Sequence, residues 1–223
     1  MTIFALVPVK RLSKSKNRLS MIFKREERTG FVIAMLRDVL EAISSSAVDR
    51  TAIIGSDGIV QRLSSDHGTS FLPDTGQELN KVIGCATAWC IREEAESVLI
   101  LPADIPLVSS IEIDKIISHC SEEPSVVISP SHDEGTNALL RRPPDTIQTH
   151  FGPGSFEKHI NEASRKGVTA KIYKSPNLSL DIDSPRDLRQ LLEVGEGTEA
   201  YRFLKRSEGD KRLEKLSISQ DLL

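Results

Sequence analysis

Acidic side chains follow two apolar stretches of the sequence and could hold a divalent cation. Asp104 comes directly after an apolar run and lies between Pro102 and Pro106, which restrict the backbone on both sides. Asp181 and Asp183 alternate with apolar residues, so in an extended chain they share one face. Mg²⁺ takes one or two protein carboxylates and completes its shell with water and phosphate oxygens. We therefore expect Mg²⁺ as the cofactor, with ligands drawn from these aspartates.

Each aspartate also has an ordinary structural interpretation. Asp104 could close a turn, and Asp183 could stabilise the N-terminus of the helix predicted after Ser184. These roles do not explain Asp181. Zinc-enzyme and serine-hydrolase sites lack support, because the histidines do not have metal spacing and no serine lies in a G-x-S-x-G motif.

A basic segment leaves the first apolar run and could neutralise a polyphosphate. It contains no glycine and does not match the Walker A pattern. The net charge of −3 argues against a broad nucleic-acid surface, which usually requires a basic domain. A solvated charged loop is the alternative. The cations that we expect to bind the nucleotide are Lys10, Arg11, Lys14, Lys16 and Arg18.

Two glycine-containing segments in the second half of the chain are typical of loops that receive anions. They are D-E-G-T-N-A-L at residues 133–139 and F-G-P-G-S-F-E-K-H at residues 151–159. Glycine lets the backbone approach a ligand, and free N–H groups at a helix start favour phosphate or carboxylate. A lone helical histidine is more often structural than ligand-binding. The candidates for acceptor binding are Thr136, Asn137, Gly152, Ser155 and His159.

Short apolar runs alternate with amphipathic segments of helical length, and this order predicts an α/β fold with a mostly parallel sheet. Such sheets bind ligands beyond the carboxyl ends of their strands, where these motifs lie. We expect strands at residues 3–9, 51–55, 70–72, 98–101, 125–129, 137–141, 169–173 and 178–182. We expect helices at residues 26–43, 58–66, 79–95, 111–120, 155–166 and after Ser184.

Length and composition indicate one globular domain. The chain has 223 residues, of which 39% are hydrophobic and 27% charged, and no apolar run is long enough to span a membrane. Three cysteines without C-x-x-C spacing favour a reducing cytoplasm. We predict a domain over residues 1–194 and a charged extension over 195–223, where Tyr201, Phe203 and Leu204 could form a homodimer surface.

Taken in order, the motifs V-P-V-K with K-x-R-L, P-A-D-I-P, D-E-G-T-N-A-L, F-G-P-G-S-F and L-D-I-D-S-P resemble the 2-phospho-L-lactate guanylyltransferase family. The resemblance runs from about Ile3 to Leu191. P-A-D-x-P and D-x-D-x-P also occur in molybdenum-cofactor guanylyltransferase-like enzymes, whereas G-T-N-A-L with F-G-P-G-S-F is more specific. The resemblance implies a Rossmann-like, GT-A-like nucleotidyltransferase fold, a three-layer sandwich around the sheet.

The family reaction implied for this chain is attack by the acceptor phosphate on the α-phosphorus of GTP. It gives lactyl-2-diphospho-5′-guanosine and pyrophosphate in coenzyme F-420 biosynthesis. The resemblance assigns Lys10 and Asp104 to catalysis, Asp181 and Asp183 to the second acidic motif, and Asn80 to the segment that holds guanosine.

The same resemblance places Thr136, Gly152 and Ser155 against the acceptor, a small phosphorylated hydroxy acid. Glu134 departs from the family pattern, where a second glycine is expected. Phosphoenolpyruvate, 3-phosphoglycerate or a molybdopterin are alternative acceptors. A non-catalytic nucleotide-binding regulator is the alternative from another class, and the retained aspartates argue against it.

Overall fold

A mixed sheet runs through the middle of the molecule. The computed structural model describes residues 1–120 and 123–220, apart from the side chains of Lys14 and of residues 217–220. Within this described part the sheet has seven strands in the order β3-β2-β1-β4-β6-β5-β7. The strands are β1 (Ile3–Pro8), β2 (Arg50–Gly55), β3 (Ser70–Pro73), β4 (Ser97–Ile100), β5 (Ser125–Pro130), β6 (Thr136–Arg142) and β7 (Thr169–Ile172).

One strand runs against the others. β6 is antiparallel to both β4 and β5, whereas the remaining neighbours pair in parallel. The connection from β5 to β6 is too short for the crossover that a parallel pair needs, so the chain reverses. As a result, β6 begins at the edge where β1 and β4 end. This confirms the prediction of a mostly parallel α/β sheet.

Helices cover both faces of the sheet and bury two hydrophobic clusters. β4 contributes to both, because Leu99 faces one cluster while Val98 and Ile100 face the other. This explains the apolar run without polar alternation. The helices are α1 (Arg25–Ser44), α2 (Gly58–Asp66), α3 (Leu79–Arg92), α4 (Ser110–His119), α5 (Ser155–Arg165), α6 (Pro176–Ser179), α7 (Pro185–Val194), α8 (Glu199–Arg206) and α9 (Gly209–Gln220).

The predicted strand at residues 178–182 is wrong. Ser175 caps the short helix α6 by accepting a hydrogen bond from the Leu178 N–H, and Pro176 occupies the first turn. A serine cap followed by proline starts a helix, which removes these residues from any strand. The alternation predicted beyond α6 is nevertheless present, because Leu180 and Ile182 are buried while the aspartates between and after them are partly exposed.

The start of α7 was predicted correctly. Ser184 and Asp187 form a capping box, and Pro185 lies in the first turn. The Asp187 carboxylate also accepts a hydrogen bond from the Asp183 N–H at 3.0 Å. The cap therefore fixes the backbone beside an aspartate that matters for the site.

The C-terminal segment packs onto the main body through α8. Phe203 contacts the rings of Phe23 and Phe31, and Leu204 is fully buried. The carboxylate of Asp38 accepts hydrogen bonds from the N–H groups at the start of α8. The side chains of Phe203 and Leu204 thus pack against their own chain, and a homodimer surface in this segment stays a prediction. No described helix is long and apolar enough to cross a membrane.

Candidate active site

Chain segments that were predicted to carry chemistry meet at one edge of the sheet. β1 ends before the basic loop, β4 ends before Asp104, and β6 begins at Thr136. The register places Ile100 opposite both Leu6 and Leu139, so these three strand ends lie side by side. A backbone hydrogen bond of 2.9 Å from the Ile182 N–H to the Asp104 carbonyl brings in the second acidic segment.

Lys16 joins the two acidic segments. Its ammonium nitrogen lies 2.7 Å from Asp104 Oδ2 and 2.5 Å from Asp183 Oδ1. Only 5% of the Lys16 side chain is exposed, and its backbone is left-handed, with φ of 53°. Lysine rarely adopts this backbone region, so Lys16 occupies a constrained position in the loop. The basic loop therefore turns inward at this residue.

Lys16, Asp104 and Asp183 form a triad of opposite charges, and this shifts the pKa of Lys16 and of Asp183. Burial opposes the ammonium charge, but the two carboxylates outweigh it and raise the pKa of Lys16. Burial likewise opposes the charge of Asp183, yet Lys16 outweighs it and lowers the pKa of this carboxyl. Lys16 and Asp183 are thus both charged near neutral pH.

Asp181 points to different partners. Its Oδ1 accepts a hydrogen bond from Asn137 Nδ2 at 3.2 Å and lies 3.6 Å from His132 Nδ1. Burial, and next the charge of Asp104, raise the pKa of Asp181. Asp181 therefore adds negative potential to the site without joining the triad.

Asp104 and Asp183, which we call the acid pair, are suited to bind a hard divalent cation. Asp104 and Asp183 each direct one oxygen at the same ammonium group, so a cation in its place would meet two carboxylates. Two carboxylates suffice for Mg²⁺ when water and phosphate supply the remaining ligands. In the described residues no group of three or more histidine, cysteine, aspartate or glutamate side chains is arranged to hold a metal alone. Asp104 and Asp183 are thus the two predicted ligands that converge on one point, and Asp181 as a third ligand stays a prediction.

The other cations of the basic loop lie on its surface. Lys10, Arg11 and Arg18 are exposed, and the charges of Lys10 and Arg18 contribute to the lowered pKa of Asp183. Asp57 at the start of α2 accepts a hydrogen bond from the Leu12 N–H at 3.0 Å, which attaches the loop to the fold. Lys14 belongs to the same loop, but its side chain lies outside the described part of the structure.

The hydroxyl groups of the acceptor loops bind each other. Ser155 Oγ donates to Thr136 Oγ1 at 3.2 Å, and Thr136 Oγ1 lies 3.0 Å from His159 Nδ1. All three residues are buried, and His159 has no exposed surface. His159 is therefore placed behind the loops, which corrects its expected contact with the acceptor.

The turn ahead of α5 is open to solvent on its glycine side. Gly152 and Gly154 have φ of 132° and 63°, and a Cβ at either position would meet nothing within 4 Å. Positive φ explains why glycine occurs here twice. The turn can thus bring backbone N–H groups close to a ligand.

Asn80 holds this turn in place. Its side chain donates to the Phe151 carbonyl at 3.0 Å and accepts from the Phe151 N–H at 2.7 Å. Both functional atoms of the amide bind the backbone of the turn, and the expected contact of this side chain with GTP stays a prediction. The structure ties the start of α3 to the predicted acceptor loop.

Asn137 and Glu134 also have backbone-positioning roles. Asn137 is buried and donates to the Leu178 carbonyl at 2.9 Å as well as to Asp181, so its expected acceptor contact is replaced by contacts to the acidic segment. Glu134 has φ of 66°, the left-handed conformation that the expected family glycine would adopt without strain. Its carbonyl accepts a hydrogen bond from the Phe156 N–H.

Sequence reasoning missed His132 and a groove at the ends of β2 and β3. His132 lies between Asp181 and Asp187, with nitrogen-to-oxygen distances of 3.6 and 3.8 Å, and nothing local in the sequence indicates this placement. The groove has a volume of about 280 Å³ and opens where β2 and β3 end. Its lining includes Ile54, Leu72, Gln77, Val82 and Trp89. The sequence predicted a helix at residues 79–95 but not this opening.

Comparison with known proteins identifies the family of this chain. The sequence matches the family described as "Guanylyl transferase CofC like" over residues 3–219. The phosphoenolpyruvate guanylyltransferase of Rubrobacter xylanophilus is 36% identical over 196 residues, which cover 87% of this chain and 96% of the relative. The 2-phospho-L-lactate guanylyltransferase of Methanothermobacter thermautotrophicus is 36% identical over 218 residues, covering 94% and 96%.

Solved structures show the same fold at low identity. A structure described as a nucleotide-diphospho-sugar transferase from Desulfovibrio desulfuricans G20 matches with a TM-score of 0.79 and 16% identity, covering 96% of this chain and 98% of the other. A nucleotidyl transferase from Methanothermobacter thermautotrophicus matches with a TM-score of 0.66 and 15% identity, covering 92% and 99%. These matches confirm the expected nucleotidyltransferase-like α/β fold.

Proposed function

The chain belongs to the family of CofC-like guanylyl transferases, and from this premise we propose that it transfers GMP from GTP to 2-phospho-L-lactate. The observation that carries the proposal is the convergence of Asp104 and Asp183 on Lys16, at the strand ends and beside the basic loop. A site of this kind presents two carboxylates for a cation and several cations for phosphates.

The reaction needs alignment and charge neutralisation more than a general base. An oxygen of the acceptor phosphate is already a nucleophile, so it attacks the α-phosphorus of GTP directly. The new phosphorus–oxygen bond forms as the bond to the β-phosphate oxygen breaks, and pyrophosphate leaves with the negative charge. Preorganised cations and close positioning supply most of the acceleration in such transfers.

Residues of the basic loop and the acid pair divide this work. We place the triphosphate against Lys10, Arg11 and Arg18, whose exposed charges oppose those of the phosphates. Lys16 lies deeper and adds a charge where the loop meets the acid pair. We assign Asp104 and Asp183 to Mg²⁺, which when bound would neutralise phosphate charge and hold the phosphates in line.

The nucleoside and the acceptor are placed on opposite sides of the acid pair. The groove at the ends of β2 and β3 has apolar walls suited to a flat base. The turn at Gly152–Ser155 lies with Thr136 at the start of β6 and can present donors to a phosphate or carboxylate. The site thus offers separate places for GTP and for a compact phosphorylated acid.

Phosphoenolpyruvate is the second candidate acceptor. Its support is that relatives named for phosphoenolpyruvate and for 2-phospho-L-lactate are both 36% identical to this chain. The two acids share a phosphate next to a carboxylate and differ in the carbon that bears the phosphate. We also propose a cytoplasmic location, which is supported by the three free cysteines.

The direct test measures pyrophosphate released from GTP in Mg²⁺ with 2-phospho-L-lactate, phosphoenolpyruvate or 3-phosphoglycerate. Unphosphorylated lactate is the matched control acceptor. We expect pyrophosphate and a GMP adduct of the expected mass with one of the first two acids. Binding of GTP without turnover on any phospho-acid would contradict the proposal and favour a nucleotide-binding regulator.

A further inference from the structure

A buried chain of hydrogen bonds connects a backbone amide to the acceptor loops. The His150 N–H donates to His159 Nε2 at 2.9 Å. On its other side, His159 Nδ1 lies 3.0 Å from Thr136 Oγ1, which in turn binds Ser155 Oγ at 3.2 Å. Thr136 is 6% exposed, Ser155 1% and His159 0%, so water does not compete within this chain.

The backbone amide fixes the tautomer of His159. An N–H group can only donate, so Nε2 must accept and carries no proton. Burial, followed by the nearby charges of His150 and Arg141, lowers the pKa of His159 to about 3, so the ring is neutral at physiological pH. Its single proton therefore lies on Nδ1, and Nδ1 donates to Thr136 Oγ1.

Because Nδ1 donates to Thr136 Oγ1, one O–H group of Thr136 and Ser155 is left without an acceptor. Thr136 and Ser155 have two O–H groups, and the bond between them uses one. His159 cannot accept the other, because its Nδ1 already carries a proton. Whichever hydroxyl donates in the shared bond, the second O–H has no acceptor among the described hydrogen bonds. A buried donor of this kind costs free energy unless a ligand supplies an acceptor.

We propose that His159 is a positioning residue that makes the Thr136–Ser155 pair a donor for an anionic oxygen of the acceptor. This inference rests on the proposed function, because it identifies the pair as part of the acceptor site. The spare O–H suits a ligand oxygen that can accept a hydrogen bond, as in a phosphate or carboxylate.

The first test reads the tautomer in the wild-type protein without any substrate. Nitrogen-15 NMR of labelled protein at pH 7 distinguishes a protonated from an unprotonated ring nitrogen. We expect the proton of His159 on Nδ1 and none on Nε2. A proton on Nε2 would overturn the inference, whether or not the enzyme turns over GTP.

The second test is a double-mutant cycle on acceptor kinetics. In His159→Gln the amide oxygen can take the place of Nε2 and accept from the His150 N–H, but the side chain has no nitrogen at the position of Nδ1. We expect acceptor kcat/KM to fall about ten-fold to a hundred-fold, mainly through KM, with the KM for GTP unchanged. Thr136→Val should cause a loss of similar size, and the double variant should lose no more than Thr136→Val alone.

Thr136→Ser is the matched control for Thr136→Val, because it keeps the hydroxyl. In the Thr136→Ser background, His159→Gln should therefore lower acceptor kcat/KM as much as it does in the wild type. Additive losses in the cycle would show that His159 acts only through packing and would overturn the inference. Absence of wild-type turnover with every phospho-acid would instead defeat the proposed function. The two failures are thus separable.

Discussion

The ammonium nitrogen of Lys16 lies 2.7 Å from Asp104 Oδ2, although 88 residues separate the two in sequence. The same nitrogen contacts Asp183, so a cation of the protein itself neutralises the acid pair. A divalent cation would compete with Lys16 for these oxygens. Lys16 could then pair with the phosphates of a bound nucleotide. Binding of GTP would therefore favour binding of the metal, and binding of the metal would favour binding of GTP.

The Lys16 contact can be tested by Lys16→Met. Two carboxylates then face each other without a counter-ion, and we expect the free energy of unfolding to fall by about 1–3 kcal/mol, since Asp183 is 46% exposed and water replaces part of the contact. Adding Mg²⁺ without nucleotide should raise the Tm of this variant more than that of the wild type. Lys10→Met, which removes an exposed lysine of the same loop, is the control. Equal Mg²⁺ responses in all three proteins would contradict the assignment of the acid pair to a cation.

Asp104→Asn should lower turnover by about a hundred-fold or more, because an amide is a poor ligand for a hard cation and leaves phosphate charge uncompensated. The fold should persist, since the Asp104 backbone carbonyl still binds the Ile182 N–H. Pyrophosphate release and circular dichroism check the two expectations. Asp66→Asn, at an exposed position in α2, is the control. Near-normal turnover of Asp104→Asn in Mg²⁺ would contradict the assignment of Asp104 as a metal ligand.

The position of Asp104 was predictable because a strand buried on both faces carries an apolar run, and the residues after it must lie at the sheet edge. The alternation of Leu180 with Ile182 likewise predicted which side the aspartates share. In contrast, the helix at Pro176–Ser179 was not predicted. The alternation of apolar and polar residues indicated a strand there, although Ser175 followed by proline is a local signal for the start of a helix.

Side-chain partners over long sequence separations were not predictable. No local pattern indicates that Lys16 turns inward while Lys10 stays exposed, since both are lysines in one basic loop. The reciprocal pairing of Asn80 with Phe151 spans 71 residues and depends on how α3 and the glycine turn meet in the fold. The motif resemblance indicated that these residues lie near the site. It did not indicate what their side chains bind.

Asn80→Ala should impair the acceptor more than GTP. The change removes both hydrogen bonds to the Phe151 backbone and so loosens the turn that contains Gly152. We expect acceptor KM to rise about ten-fold, as for the loss of roughly 1.4 kcal/mol of positioning. The KM for GTP should stay near its wild-type value. A selective rise in the KM for GTP would instead support the assignment of Asn80 to the nucleotide.

Leu204→Ala tests whether the C-terminal helices stabilise the enzyme. Leu204 is fully buried where α8 packs on α1, so truncation leaves a cavity and should cost about 2–5 kcal/mol. Chemical denaturation measures this loss. Met21→Ala is the matched control, because Met21 is 68% exposed and its truncation should change little. A loss below about 0.5 kcal/mol in Leu204→Ala would mean that the helices contribute little to the core.

The carboxylate of Asp38 predicts a pH dependence in the same region. Burial raises the pKa of Asp38 to about 6, despite hydrogen bonds from the Glu199 and Ala200 N–H groups and the nearby charge of Arg202. Since the folded protein then holds this proton more tightly than the unfolded chain, protonated Asp38 contributes stability below pH 4. That contribution is lost as pH rises through about 6.

We therefore expect the free energy of unfolding of the wild type, measured relative to Asp38→Asn, to decrease between pH 4 and about 6 and to stay constant from about 7 to 8. Asp38 accepts a hydrogen bond at each carboxylate oxygen, whereas an asparagine amide has only one oxygen that can accept. The difference in unfolding free energy that remains from about pH 7 to 8 therefore measures the second hydrogen bond at the start of α8. Urea denaturation of both proteins across this range separates the two contributions. An increase with pH over the same interval would show that the helix N–H groups outweigh burial and hold Asp38 ionised, because a carboxyl with a lowered pKa stabilises the fold only above its unfolded value.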